Sequence, residues 1–107
     1  MIPARLQERI RRAATDAEVI LAAEECLASL APAEIALLPE RCRPRRLLCA
    51  LDVSTYAFDL VSHYGEETNE TVRLVNALAI VFTEASIRLS EILVDSHDDA
   101  WIHRRSA

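Results

Sequence analysis

The sequence predicts an all-α protein of one domain, and its composition gives the first two reasons. Only one glycine and four prolines occur among the 107 residues, which is little turn chemistry for a β-sheet. Half of the residues are apolar (51%) but only 5% are aromatic, so leucine, alanine, isoleucine and valine must fill the core. Alanine and leucine also favour helices. A chain of this size, residues 1–107, is expected to form one domain whose core needs no disulfide.

A third reason is the periodicity of residues 70–94, the most apolar stretch of the chain. Apolar side chains recur there at steps of three and four residues, along two adjacent seams. The first seam holds Val72, Val75, Ala79, Phe82, Leu89 and Leu93, and the second holds Leu74, Leu78, Val81, Ala85 and Ile92. This apolar arc is wider than a surface helix needs, so we expect a helix over 70–94 with neighbours on more than one side.

The N-terminal part of the chain predicts one long helix over 4–30. Pro3 suits the start of a helix, and an apolar stripe follows it at helical spacing. Thr15 and Glu18 also form a capping-box pattern, which would begin a second helix at that point. Because the apolar stripe keeps its phase across Thr15, we favour one helix, bent there, over two separate helices.

A short helix over 32–38 is expected next, between Pro32 and Pro39, and a linker stiffened by proline follows it. We expect a second long helix over 44–64, closed by Gly65 in the position that commonly requires a positive φ. Its expected apolar face consists of Leu47, Leu48, Leu51, Phe58, Val61 and Tyr64, opposite Asp52, Tyr56, Asp59 and His63.

A last short helix is expected over 97–104, after a capping pattern that begins at Ser96. The connection at Gly65 is short, so the two central helices should form an antiparallel hairpin, with the first long helix lying across it. The predicted architecture is a small antiparallel helical bundle of three long helices and two short ones.

Charge and cysteine content argue against several classes of function. The net charge is −5, and all twelve basic residues are arginine; this acidic balance argues against a protein that coats nucleic acid. The three cysteines form no C-x-x-C pair, so neither a disulfide framework nor a zinc site is expected. We expect Cys26 and Cys49 in the core and Cys42 partly exposed. With no signal-peptide pattern and no apolar run near the ~20 residues of a membrane span, we expect a soluble, cytoplasmic protein.

Four arginines cluster in the linker and at the expected start of the second long helix. They are Arg41, Arg43, Arg45 and Arg46. Positive charge at a helix N-terminus opposes the macrodipole, so this placement needs an explanation. The favoured interpretation is neutralisation by the chain's own carboxylates, with Glu40 or the pair at 98–99 as candidates. The alternative is that the cluster binds an acidic protein partner, a phosphate or nucleic acid.

A second unusual feature is an aliphatic stripe on the polar side of the helix over 70–94. Ile80, Ile87 and Val94 follow one another at a spacing of seven residues. An exposed stripe of this kind usually marks a subunit contact. The alternative is that the N-terminal helix or the last short helix covers it. Because three long helices offer little surface to bury so wide an arc, we expect a homodimer.

No pattern in the sequence predicts a catalytic centre, a cofactor or a metal. Asp59 and His63 lie one helical turn apart, but a metal site in a bundle needs a second ligand cluster on a facing helix, and the sequence offers none. No nucleophile and base can be placed together from the sequence.

The leading hypothesis is a non-enzymatic helical interaction protein, a small regulator or adaptor that forms a homodimer and presents its arginine linker to an acidic or anionic partner. The runner-up is a small-molecule-binding bundle with an apolar pocket between the central helices. Few aromatic residues are present to line such a pocket: Tyr56, Phe58, Tyr64, Phe82 and Trp101. The third hypothesis is weak nucleic-acid binding through the arginine linker together with Arg11 and Arg12.

Overall fold

A computed structural model describes residues 2–63 and 70–106, with side chains described as far as Asp95 in the second range. The described part of the chain is all-α and contains no strand, which confirms the predicted fold class. Its helices are α1 (Ala4–Arg12), α2 (Asp16–Ala28), α3 (Pro32–Leu37), α4 (Ala50–Val61) and α5 (Glu70–Ser106), with a short 3-10 turn at Glu40–Cys42.

Helices α4 and α5 pack side by side in opposite directions, as the predicted hairpin requires. Ser54 Oγ lies 3.0 Å from Ser86 Oγ near the middle of the pair. Beyond that point Val61, at the end of α4, lines a groove with Ala79 of α5. Towards the other end, Leu51 lines a groove with Leu93. Helices α1 and α2 also pack against α5, so α5 has neighbours on more than one side.

The prediction of one helix over 4–30 was wrong, because the capping box at Thr15 separates α1 from α2. The Thr15 side chain accepts a hydrogen bond from Glu18 N at 3.3 Å, and the Glu18 carboxylate accepts one from Ala14 N at 3.0 Å. The chain folds back here, since Arg9 and Glu25 form an ion pair. In a straight helix these two residues would lie about 24 Å apart. The apolar stripe that suggested one helix is not the face that α2 buries, because Ala17 is exposed and Ile20 is only half-buried. The buried residues of α2 are Val19, Ala22, Ala23, Cys26 and Leu27.

The second long helix was predicted to start near residue 44, but α4 begins only at Ala50. In the segment before Ala50, carboxylates accept hydrogen bonds from backbone N–H groups that would bond to backbone carbonyls in a longer helix. Leu47 N donates to Glu24 Oε1 at 2.9 Å, and Leu48 N donates to Asp52 Oδ2 at 2.7 Å. The segment between the 3-10 turn and α4 therefore stays non-helical and is attached to α2.

The predicted faces of α4 were also wrong. The side chains that α4 buries are those of Val53, Tyr56, Ala57 and Leu60. Tyr56, expected on the polar side, is fully buried, whereas Phe58, expected in the core, is 74% exposed. Leu48, Leu51 and Val61 are exposed as well. The expected placement of Tyr64 falls outside the described residues.

The short helix predicted over 97–104 is the end of α5, which runs without interruption from Glu70 to Ser106. A capping-type residue ends a helix only where the chain also turns, and neither glycine nor proline occurs between residues 95 and 106. The helix predicted over 32–38 is present as α3, with Pro32 at its first turn.

Replacing Thr15 by alanine should lower the free energy of unfolding by about 1 kcal/mol, because the first turn of α2 loses its side-chain cap. Urea denaturation followed by circular dichroism measures this difference. Thr55→Ala is the matched control, since Thr55 is an exposed threonine within α4, and it should change stability by less than about 0.5 kcal/mol. Equal effects of the two substitutions would show that the cap contributes nothing.

Candidate functional site

Tyr56 joins the linker to the helical core. Its ring packs edge-on against Phe82 of α5, with centroids 4.7 Å apart and planes at 83°. Its hydroxyl donates a 2.5 Å hydrogen bond to the carbonyl oxygen of Cys42, in the 3-10 turn. Burial raises the pKa of the Tyr56 phenol well above its ordinary value, so the hydroxyl keeps the proton that it donates.

Arg45 is the linker arginine that contacts this cluster. Its guanidinium carbon lies 5.0 Å from the centroid of the Tyr56 ring, in cation–π geometry. Its Nη2 donates to Asp59 Oδ2 at 2.5 Å. The chain's own carboxylate therefore neutralises Arg45, but that carboxylate is Asp59 and not Glu40. The other candidates, the pair at 98–99, have side chains outside the described residues.

The other three linker arginines, Arg41, Arg43 and Arg46, are exposed and form no ion pair with the residues that the structure describes. All four precede the first residue of α4, at Ala50. The expected conflict with the macrodipole does not arise, because the first turn of α4 carries Asp52 and no arginine. The linker thus exposes positive charge at three positions and uses the fourth arginine for packing.

The cysteines differ from the sequence expectation at two positions. Cys26 and Cys42 are buried, and Cys49 is exposed. Cys42 lies under Tyr56, with its Sγ 3.8 Å from the carbonyl oxygen of Asp59, while Cys49 occupies the N-cap position of α4. Burial raises the pKa of the Cys26 thiol to about 11 and also raises that of Cys42, so these two thiols are poor nucleophiles.

The stripe of Ile80, Ile87 and Val94 is exposed to solvent, at 52%, 54% and 56% respectively. Helix α1 does not cover it. Arg11 pairs with Glu84 at 3.1 Å, and Arg88 Nε donates to the carbonyl oxygen of Ala13 at 2.8 Å, so the α1–α2 corner packs beside the stripe. The predicted last helix does not fold back over it either, because that segment continues α5.

Helix α4 enlarges this exposed apolar surface. Val61 and Ile80 line one shallow groove, and Leu51 lines another with Leu93. Small polar side chains lie between the aliphatic ones, among them Ser54, Ser86 and Ser90. We call the combined surface the outer face and define it by Leu51, Phe58, Val61, Ile80, Ile87 and Val94.

Sequence reasoning found the α5 half of the outer face and missed the α4 half. Leu51 and Phe58 are also seven residues apart, which is the spacing that singled out Ile80 and Ile87. That signal was present in the sequence, but assigning Phe58 to the core concealed it.

The groove that contains Leu51 also bears on the hypothesis of a small-molecule site. It lies between α4, α5 and the α1–α2 corner, and its volume is about 540 Å³, within the range of ligand pockets. It is open to solvent and continuous with the outer face, whereas the expected pocket lay between the central helices. Those helices meet there through packed side chains such as Phe82 and Leu60, which are fully buried.

Among the side chains that the structure describes, in residues 2–63 and 70–95, no group of three or more histidines, cysteines, aspartates or glutamates could hold a metal ion. Asp59, considered earlier as a ligand, is bonded to Arg45. Among the helices described, none combines the length and the apolar character that crossing a membrane requires.

Comparisons with known proteins give no match: no protein-family model, no curated protein and no solved structure matches the chain. Two surfaces of this chain are therefore the candidate functional sites: the outer face and the arginine linker.

Replacing Arg45 by glutamine should lower the free energy of unfolding by about 1 kcal/mol, because both the ion pair with Asp59 and the contact with the Tyr56 ring are lost. The triple variant Arg41→Gln, Arg43→Gln, Arg46→Gln is the matched control and should stay within about 0.5 kcal/mol of the parent. Thermal and urea unfolding measure both variants. A triple variant as unstable as Arg45→Gln would mean that the exposed arginines also serve the fold.

Proposed function

We propose that this protein is a non-enzymatic helical interaction module that forms a homodimer through the outer face. The observation that carries the proposal is the size of that face. From the exposed fractions of its six side chains, the apolar area is on the order of 600 Å², at the upper limit of the largest patch on a typical monomer. It also approaches the ~800 Å² that each partner buries in a standard interface.

A second copy is the occupant best supported by the chain. The face consists of large aliphatic side chains and one aromatic side chain, and such side chains form the apolar centre of a homodimer interface. Two α4–α5 hairpins that pack together through this face would form a four-helix bundle in which Phe58 and Ile87 are buried.

The arginine linker is proposed as a second binding surface, for an acidic protein partner or another anion. Arg41, Arg43 and Arg46 are exposed, and Arg45 fixes the linker on the Asp59 side of α4. Dimerisation and partner binding would therefore use different parts of the molecule. The net charge of −5 argues against nucleic acid as that partner. A small regulator or adaptor in the cytoplasm, where an exposed thiol such as Cys49 stays reduced, fits this arrangement.

A small-molecule-binding role is the second candidate, and the groove between Leu51 and Leu93 favours it. Because this groove borders the outer face, a second copy and a ligand would compete for the same apolar surface. A ligand that binds there should shift the protein towards monomer.

Light scattering after size-exclusion chromatography, over a hundredfold range of concentration, tests the homodimer. We expect the parent to be dimeric and Ile87→Glu to weaken dimerisation by more than about tenfold, because two glutamates would be buried at the interface. Leu21→Glu is the matched control. Leu21 is an exposed leucine on α2, at 51%, and it lines a groove with Arg5 and Arg9 of α1 that shares no residue with the outer face.

The control variant should remain dimeric, and circular dichroism should show that both variants keep their helix content. A parent that is monomeric at every concentration would contradict the proposal. Equal loss of dimer in Leu21→Glu and Ile87→Glu would contradict the assignment of the interface to the outer face.

A further inference from the structure

The outer face carries opposite charges at its two ends along α5. Arg73 is exposed and precedes Ile80 by the same seven residues that separate Ile80 from Ile87. At the other end, Glu91 and Asp95 are exposed beside Val94. Along α5, an arginine (Arg73) therefore precedes the aliphatic stripe, one turn after Glu70, and an aspartate (Asp95) follows the stripe.

We propose that two copies dock with their α5 helices antiparallel, so that Arg73 of each copy lies against the partner's Asp95. The inference rests on the homodimer proposed above and adds its orientation. A two-fold axis perpendicular to the helices brings Arg73, before the stripe of one copy, beside Asp95, after the stripe of the other, and unlike charges meet. The macrodipoles of the two helices also oppose each other favourably in this arrangement.

A parallel pair places like charges together. Its two-fold axis runs along the helices, so every residue lies beside its own copy. Arg73 would face the partner's Arg73, and Asp95 would face the partner's Asp95. Neither contact offers the attraction that the antiparallel pair gains twice.

The shape of the stripe favours the same orientation. Successive members of the stripe are about 10.5 Å apart along the helix. Thr83 and Ser90 occupy the intervals on the side towards α4. On the other side lie Glu84 and Glu91, which are paired with Arg11 and Arg88 within the same copy. When two antiparallel copies are offset by half an interval, Ile80 lies over the partner's Ser90, and Ile87 lies over the partner's Thr83. Large side chains then fill the spaces above small ones, as in knobs-into-holes packing. In this register Arg73 and the partner's Asp95 differ by only about 3 Å along the axis.

Charge-reversal variants test the orientation. Analytical ultracentrifugation at low ionic strength, where exposed ion pairs are least screened, measures the dissociation constant of each dimer. We expect Arg73→Asp and Asp95→Arg each to weaken dimerisation about three- to tenfold, because each creates two like-charge contacts per dimer. Combining the two substitutions restores unlike charges and should bring the dissociation constant back to within about threefold of the parent. Arg46→Asp changes the net charge equally on the linker and should have less than a twofold effect.

The outcomes separate the two proposals. A dimeric parent whose double variant regains affinity supports the antiparallel arrangement. A dimeric parent whose double variant is as weak as the two single effects combined overturns the antiparallel arrangement and leaves the homodimer intact. A parent that is monomeric throughout overturns the homodimer, and the antiparallel arrangement with it.

Discussion

The contacts of the buried Tyr56 side chain are the constraint on which the rest of the structure depends. The linker before α4 contains one 3-10 turn and no α-helix, so its buried carbonyl groups need hydrogen-bond donors from elsewhere. The Tyr56 hydroxyl supplies one of these donors, to Cys42, while its ring packs on Phe82 and beneath Arg45. This requirement also sets the rotation of α4 about its axis. Successive residues of a helix turn by about 100°, so an inward Tyr56 forces Phe58 to point outward.

Elements marked by a periodic pattern over many residues could be predicted from the sequence. Features that depend on one tertiary contact could not. Helix α5 and its exposed Ile80–Ile87 pair follow from periodicity over many residues. The position of Tyr56 could not be deduced in this way, because a tyrosine suits a polar face equally well until its hydroxyl finds a buried acceptor. Thr15 shows the converse: the capping box identified the break between α1 and α2, whereas the apolar spacing across it, which predicted one helix, does not follow the face that α2 buries.

The late start of α4 has a similar cause. Proline, arginine and leucine after residue 43 are compatible with a first helical turn, but Glu24 of α2 takes the backbone donor of Leu47. That contact joins residues 23 positions apart in the chain, so no local pattern reveals it. As a consequence, the linker presents Arg41, Arg43 and Arg46 to solvent without opposing the dipole of α4. The linker and the outer face thus derive from the same docking of the chain around Tyr56.

The central claim is that the outer face is an interface between two copies of this chain. Isotope-filtered NMR on a mixture of labelled and unlabelled protein tests it most directly, because only contacts between copies give a signal. If the outer face is the interface, we expect intermolecular cross-peaks from the methyl groups of Ile80, Ile87 and Val94, including cross-peaks to the ring of Phe58. If these methyl groups gave no intermolecular cross-peaks, or if only another exposed side chain such as Leu21 gave them, the outer face would not be the interface.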